Sequence, residues 1–214
     1  MPTERVISFV DGFNLYHAIH DLRQPHLKWV DLWALSEVFI KSRSQRLETV
    51  YYFSAFANWL PAQKKRHTAY VQALIANGVT PIMAKFKKKD RKCPECGHRW
   101  VGHEEKETDV NIALALLNGA YKDEFDHAFV ISRDSDLSPA IRMLRAEFPT
   151  KGVTVVAPPN RGHSTELLSM VPPPLKAKIR IRHLDRCLMP EIVQDPGGNV
   201  VAIRPENYTP PEAP

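Results

Sequence analysis

The chain is 214 residues long, 43% hydrophobic and 25% charged, a composition that builds one sizeable core and leaves little for a second. No run approaches the roughly 18 apolar residues of a membrane span, and the first eleven residues carry Glu4 and Arg5 in place of an apolar signal core; a cytoplasmic protein without membrane contact is expected. The net charge of +5 permits an anionic partner without establishing one, and three cysteines, an odd number, argue against a secreted disulfide framework.

Residues 5–10, Arg-Val-Ile-Ser-Phe-Val, predict a buried strand that ends in the polar turn Asp11-Gly12-Phe13-Asn14. Leu32, Leu35, Val38 and Phe39 recur at helical spacing and predict a helix over 32–40. Residues 49–53 predict a second strand whose Tyr51, Tyr52 and Phe53 are core side chains. Pro61 opens a helix over 62–76 that stops at Asn77-Gly78, and a third strand follows over 79–86. Behind Thr108 as N-cap, Val110, Ala113, Leu114, Leu117 and Ala120 repeat at three and four, which predicts an amphipathic helix over 109–121 with that stripe facing inward. A fourth strand over 127–132 ends in Arg133-Asp134-Ser135-Asp136, and a helix over 139–148 leads to a fifth strand over 152–157.

This alternation predicts an α/β fold, a three-layer α/β/α arrangement around a mainly parallel sheet of about five strands. Eleven of the eighteen prolines lie after Ala157. The main domain is therefore expected over 1–170 and a short, irregular, proline-rich appendage over 171–214. That appendage is expected to carry a hairpin turning at Pro196-Gly197-Gly198-Asn199 and to end in disordered residues.

Open parallel sheets bind ligands beyond the carboxyl ends of their strands. Asp11 follows the first strand, Asp134 and Asp136 follow the fourth, and Asp109 begins the helix between the third and fourth. Singly, each is explained by a turn or by the helix dipole. Together, four carboxylates at one mouth repel and raise one another's pKa unless a cation neutralises them. Oxygen ligands without histidine or thiol point to Mg²⁺ or Mn²⁺ and away from zinc, and such clusters activate water and steady phosphoryl oxygens. Asn14 and Ser132 could hold Asp11 and Asp134 in place, or serve as local caps.

Asp11-Gly12-Phe13-Asn14, Glu105-Lys106-Glu107-Thr108-Asp109-Val110 and Ser132-Arg133-Asp134-Ser135-Asp136 resemble, in order and spacing, the motifs of the NYN domain family. These are relatives of the PIN-like nucleases, and the resemblance is to the bacterial LabA-like branch, over about 6–157. The segment Leu188-Met189-Pro190-Glu191 and the later Gly-Asn turn are similar to the tail of bacterial members. The resemblance implies a PIN-like α/β/α fold, Asp11, Asp109, Asp134 and Asp136 as metal ligands with Asn14 as their polar support, and metal-dependent ribonuclease activity. It places Lys106 near the substrate phosphate, with a salt bridge at the helix start as an equal alternative. Arg133 stands where many members have glycine, which implies a stiffer loop or a direct substrate contact.

Lys85, Lys87, Lys88, Lys89, Arg91 and Lys92 crowd one short stretch against Asp90, within a loop insertion expected over 85–106. Charge runs are commonly solvated surface, but beside a metal site this one would hold phosphates. Phe86 and Trp100 are open to base stacking or to packing. Cys93-Pro94-Glu95-Cys96-Gly97 has the form of a zinc knuckle, yet supplies half a site. His98 and His103 could complete it, as could a second cysteine pair from a homodimer partner, and a reduced, idle pair is the alternative. A Zn²⁺ there would brace the basic loop. Cys187 reads as a buried apolar residue, and His67 as an exposed helical histidine that could face nucleic acid.

The expected function is a Mg²⁺- or Mn²⁺-dependent nuclease, a phosphodiester hydrolase acting on single-stranded RNA, with residues 85–92 guiding the strand. Two alternatives remain open at this point: an RNA-binding regulatory module without catalysis, and a metal-dependent phosphohydrolase of small phosphorylated substrates.

Overall fold

The structure is a computed structural model that describes residues 3–41, 43–170 and 176–211. Its first strand, β1 (Glu4–Asp11), is apolar on both sides. Val6 and Val10 enter one hydrophobic core, and Ile7 and Phe9 enter another, as the two-residue period of a strand requires. A strand with no polar face must lie between two layers.

Accordingly β1 is central. With β2 (Gln45–Ala55), β3 (Val79–Lys92), β4 (Arg99–Lys106), β5 (His127–Ile131), β6 (Gly152–Ala157) and β7 (Lys176–Lys178) it forms a seven-stranded sheet in the order β4-β3-β2-β1-β5-β6-β7. All neighbours are parallel except β3 and β4. On one face lie α1 (Gly12–His20), α2 (Leu32–Glu37) and α3 (Pro61–Ala76), which bury Leu15, Ile19, Leu35 and Leu74 against the sheet. On the other lie α4 (Thr108–Tyr121) and α5 (Ser138–Glu147), which bury Ile112, Leu116, Ile141 and Leu144. Each such side chain stabilises the fold by about 1.5–3 kcal/mol on transfer from water.

The five expected strands are all present, and the differences from expectation have physical causes. The stretch after Asp11 is a helix, because the Asp11 side chain accepts the Asn14 N–H at 2.9 Å and so starts α1 directly at the strand end. Residues 85–106 are a regular antiparallel hairpin, in which Lys85 pairs with Lys106 and Lys92 with Arg99. Its strands are polar on both faces and give no alternation to detect. In α4 the buried side is Ile112, Leu116, Gly119 and Ala120, whereas Val110 and Leu114, part of the expected inward stripe, are 59% and 61% exposed. That helix is apolar almost all round, so its spacing alone does not select a face.

The C-terminal part is more integrated than an irregular appendage. A short helix, α6 (Thr165–Met170), precedes β7, which extends the main sheet beside β6. Then α7 (Ile181–Arg186) and the hairpin of β8 (Ile192–Gln194) and β9 (Val200–Ile203) follow, and the hairpin turn falls at the expected Gly-Gly-Asn segment. Leu184, Cys187, Met189, Val193 and Tyr208 join the first core. Trp29 Nε1 donates to the Pro190 carbonyl at 2.8 Å, and the Asp31 N–H donates to the Cys187 carbonyl at 2.7 Å. Tail residues are thereby bonded to the segment that leads into α2. The expected disorder of the last residues falls on 212–214, and the expected boundary on 171–175, both outside the described residues.

Candidate active site at the strand ends

From β1 the chain turns to β2 on one side of the sheet, whereas α4 returns it to β5 on the other. A crevice opens where the strand order reverses. Three segments meet there: the end of β1, the turn after β5 and the N-terminus of α4. Gly12 makes the first segment possible, since a Cβ at this position would stand 2.3 Å from Tyr52 Cε2 and 2.7 Å from the Phe53 carbonyl oxygen.

Asp11, only 4% exposed, is the anchor. One carboxylate oxygen accepts the Asn14 N–H at 2.9 Å and the other accepts the Ser132 hydroxyl at 2.8 Å. Ser132 in turn accepts the Asp134 N–H at 3.0 Å, and Asp134 caps the next turn by accepting the Asp136 N–H at 3.0 Å. Asn14 Oδ1 receives the Arg133 N–H at 3.4 Å. The two strand ends are thus tied into one hydrogen-bonded unit, with Asn14 and Ser132 as its ties. Burial pushes the Asp11 pKa up to about 7 against those two hydrogen bonds, and the nearby charges of Asp109 and Glu105 add to the rise. Asp109, on the first turn of α4, is also raised, by burial first and then by Asp134 and Asp136.

Asp11, Asn14, Asp109, Arg133 and Asp134 line a cavity of about 250 Å³. Asp136 is not among its lining residues and acts on it through its charge at Asp109. Glu105, which sequence reasoning does not single out, is on the cavity wall. It accepts the Thr108 hydroxyl, and its pKa is raised by burial, with Asp109 adding to the rise. Its signal is its place in the same Glu105-to-Asp109 motif that carries Lys106. Between them Glu107 takes a left-handed conformation, φ 80°, that turns the hairpin into α4. His17 and Arg161 complete walls that no local motif announces. Carboxylates of raised pKa suit a hard divalent cation, although among the described residues no group of three His, Cys, Asp or Glu side chains is placed to hold one ion together.

Register divides the basic segment. Residues paired across an antiparallel ladder share a face, so Lys85, Lys87, Lys89 and Arg91 share one face with Glu104, Lys106 and Trp100. The opposite face carries Phe86, Lys88 and Lys92 with Glu105 and His103, and Phe86, Glu105 and His103 are the members that line cavities. On the far face, Glu104 binds Lys89 at 3.0 Å and Lys106 at 2.8 Å, and Lys85 pairs with Glu107. Of the expected strand-guiding cations, Lys88 and Lys92 share the cavity side.

The expected zinc ligands do not come together as a set of four. Cys93 and Cys96 are free thiols at the hairpin tip, where backbone N–H groups of Cys96 and Glu95 lower the Cys93 pKa. His103 instead stacks on Trp59 with centroids 3.6 Å apart, and His98 lies beside Trp100 at 6.1 Å. His67 is likewise turned inward. Its Nε2 is 3.0 Å from the Tyr52 hydroxyl, and burial lowers its pKa to about 4.

Beside the carboxylates, and sharing Phe13 and His17 with them, lies a second cavity of about 330 Å³. Tyr52, Trp59, Phe86 and Tyr208 are among its walls, and Lys28, Lys64 and Arg66 are its cations. Trp59 meets Phe86 edge-on at 4.7 Å, and Phe86 reaches Phe13 at 6.0 Å.

The pattern of the NYN domain family matches residues 5–172. The chain belongs to this family. The matched span of the NYN domain holds every carboxylate of the cavity and the hairpin, and membership brings a PIN-like nuclease fold. The chain is also 27% identical to 6-hydroxy-3-succinoylpyridine 3-monooxygenase HspA of Pseudomonas putida (strain DSM 28022 / S16), over 94% of this chain and 74% of that protein. A crystal structure of VPA0982, a protein of unknown function from Vibrio parahaemolyticus RIMD 2210633, shares the fold with a TM-score of 0.54 and 19% identity, over 84% of this chain and 93% of that one. Among the described residues of the NYN domain no helix is long and apolar enough to cross a membrane.

Proposed function

We propose that this NYN domain is a Mg²⁺- or Mn²⁺-dependent ribonuclease that hydrolyses phosphodiester bonds of single-stranded RNA. The observation that carries the reading is the convergence of Asp11, Asp109 and Asp134, from three separate chain segments, on one cavity at the strand-order reversal. Their carboxylates would hold the cation, with Glu105 beside them. A bound divalent ion supplies charge neutralisation at the phosphoryl oxygens and a more acidic water. The chain's own residues prepare the site. Ser132 and Asn14 fix Asp11 and the Asp134 turn in one orientation, and the shared burial of Asp11 and Glu105 limits water around them. Lys88 and Lys92, on the cavity side of the hairpin, would meet strand phosphates. Free thiols at Cys93, Cys96 and Cys187 suit work in a reducing cytoplasm.

The test is cleavage of labelled single-stranded RNA and of DNA of the same sequence with Mn²⁺, Mg²⁺ or EDTA. RNA cleavage that stops with EDTA is expected, and RNA left intact with both metals would refute the reading. The second cavity favours one other reading. The activity for which the pseudomonad relative is named is on a pyridine that carries an acid chain, and an aromatic cleft with basic residues around it would suit such a molecule. That reading predicts oxygen consumption when a heteroaromatic acid and a reductant are added together.

A further inference from the structure

The aromatic cleft has a more specific occupant. Its volume of about 330 Å³ falls at the small end of ligand sites, enough for one planar ring with its attachments. Trp59, Phe86 and Phe13 line it and pack against one another. His103 lies flat on Trp59, at an interplanar angle of 6°, and its Nε2 is buried without a hydrogen-bond partner among the described residues. Among the described residues no acidic side chain lines the cleft, and Lys28, Lys64 and Arg66 supply positive charge. The site thus asks for a flat ring joined to an anion.

We propose that the cleft seats the base of one unpaired nucleotide, with Lys28, Lys64 and Arg66 meeting its phosphate and the strand running on toward Asp11, Asp109 and Asp134. Its orientation rests on the nuclease reading, since Phe13 and His17 form a wall common to both cavities. A base in a duplex is paired and stacked on both sides and does not enter such a cleft, whereas an unpaired base rotates into it and stacks on aromatic side chains. Strandedness, not sequence, is therefore the first level of substrate selection.

The experiment uses the full chain and a ten-nucleotide RNA that carries 2-aminopurine at one position, beside an abasic ten-unit ribose-phosphate strand that carries no bases. Binding is read by anisotropy in EDTA, and cleavage in Mn²⁺. Expected are quenching of 2-aminopurine on binding, affinity for the abasic strand lower by about 5- to 100-fold, and a Trp59→Ala variant that binds both strands equally weakly. The wild-type comparison of the two strands needs no variant to fold. Equal wild-type affinity for intact and abasic strands would overturn the proposal. So would nicotinate, as a free heteroaromatic acid, binding the cleft more tightly than the strand does. Base-dependent binding without cleavage in any metal would support the base seat and defeat the nuclease reading alone.

Discussion

The two adjoining cavities differ in how they are built. The carboxylate cavity takes Asp11, Glu105, Asp109 and Asp134 from within three positions of a strand end or helix start, and hydrogen bonds through Ser132 and Asn14 tie the ends of β1 and β5 together. The aromatic cleft draws Phe13 from α1, Tyr52 from β2, Trp59 from the turn before α3, Phe86 and His103 from the hairpin and Tyr208 from the tail. The first depends on local turn chemistry and topology, the second on the packing of distant segments. Charge differs in the same way. One cavity concentrates carboxylates, while the other is apolar with positive charge around it, and Phe13 and His17 form the wall the two share.

Removing a carboxylate tests the charged half most strongly. Asp134→Asn keeps the turn-capping oxygen but not the charge, and cleavage is expected to fall on the order of 10²- to 10³-fold with the melting temperature held, as read by gel assay and circular dichroism. A loss of fold in place of activity would show that Asp134 is structural. The apolar half responds to pH instead. Because burial holds the His67 pKa near 4, the unfolded chain takes the proton first as pH falls. Stability from neutral His67 is complete above about pH 6.5 and is lost toward pH 4, by roughly 2–3 kcal/mol at most. Denaturant titrations from pH 7 to 4 should show this loss as the difference between wild type and His67→Gln, because the buried Asp11 titrates over the same range in both proteins with the opposite sign.

Gly12 joins the two regions, so Gly12→Ala should disturb both. The clash with Tyr52 and the Phe53 carbonyl is expected to cost about 1–3 kcal/mol, seen as a lower melting temperature together with slower cleavage. The smallest effect separates the faces of the hairpin. Lys88→Glu should weaken RNA binding and reduce its salt slope by about 0.7, the share of a single phosphate on one strand, whereas Lys87→Glu, on the far face, should change the slope less. Equal changes would show that the whole tip, not one face, meets the strand.

The same division explains which residues are legible in the sequence. Asp11, Asp109 and Asp134 are legible because strand ends in an α/β alternation fix where side chains arrive, and the NYN motifs keep that spacing. Glu105 is not, since it precedes a left-handed residue, Glu107, that no propensity rule anticipates. The hairpin hides behind charges on both of its faces, and α4 offers two apolar stripes of which tertiary packing uses one. The cleft leaves little local trace beyond Phe86 and His67, because Trp59 and Tyr208 reach it only through the folded chain.

Cation binding tests the central claim most directly. Free Mn²⁺ can be followed by electron paramagnetic resonance as wild-type protein, Asp11→Asn, Asp109→Asn or Asp134→Asn is added. Expected is capture of Mn²⁺ by the wild type and at least about tenfold weaker capture by each variant, as loss of a charged ligand requires. Equal capture by all four proteins, or none by the wild type, would contradict a cation held by these three carboxylates.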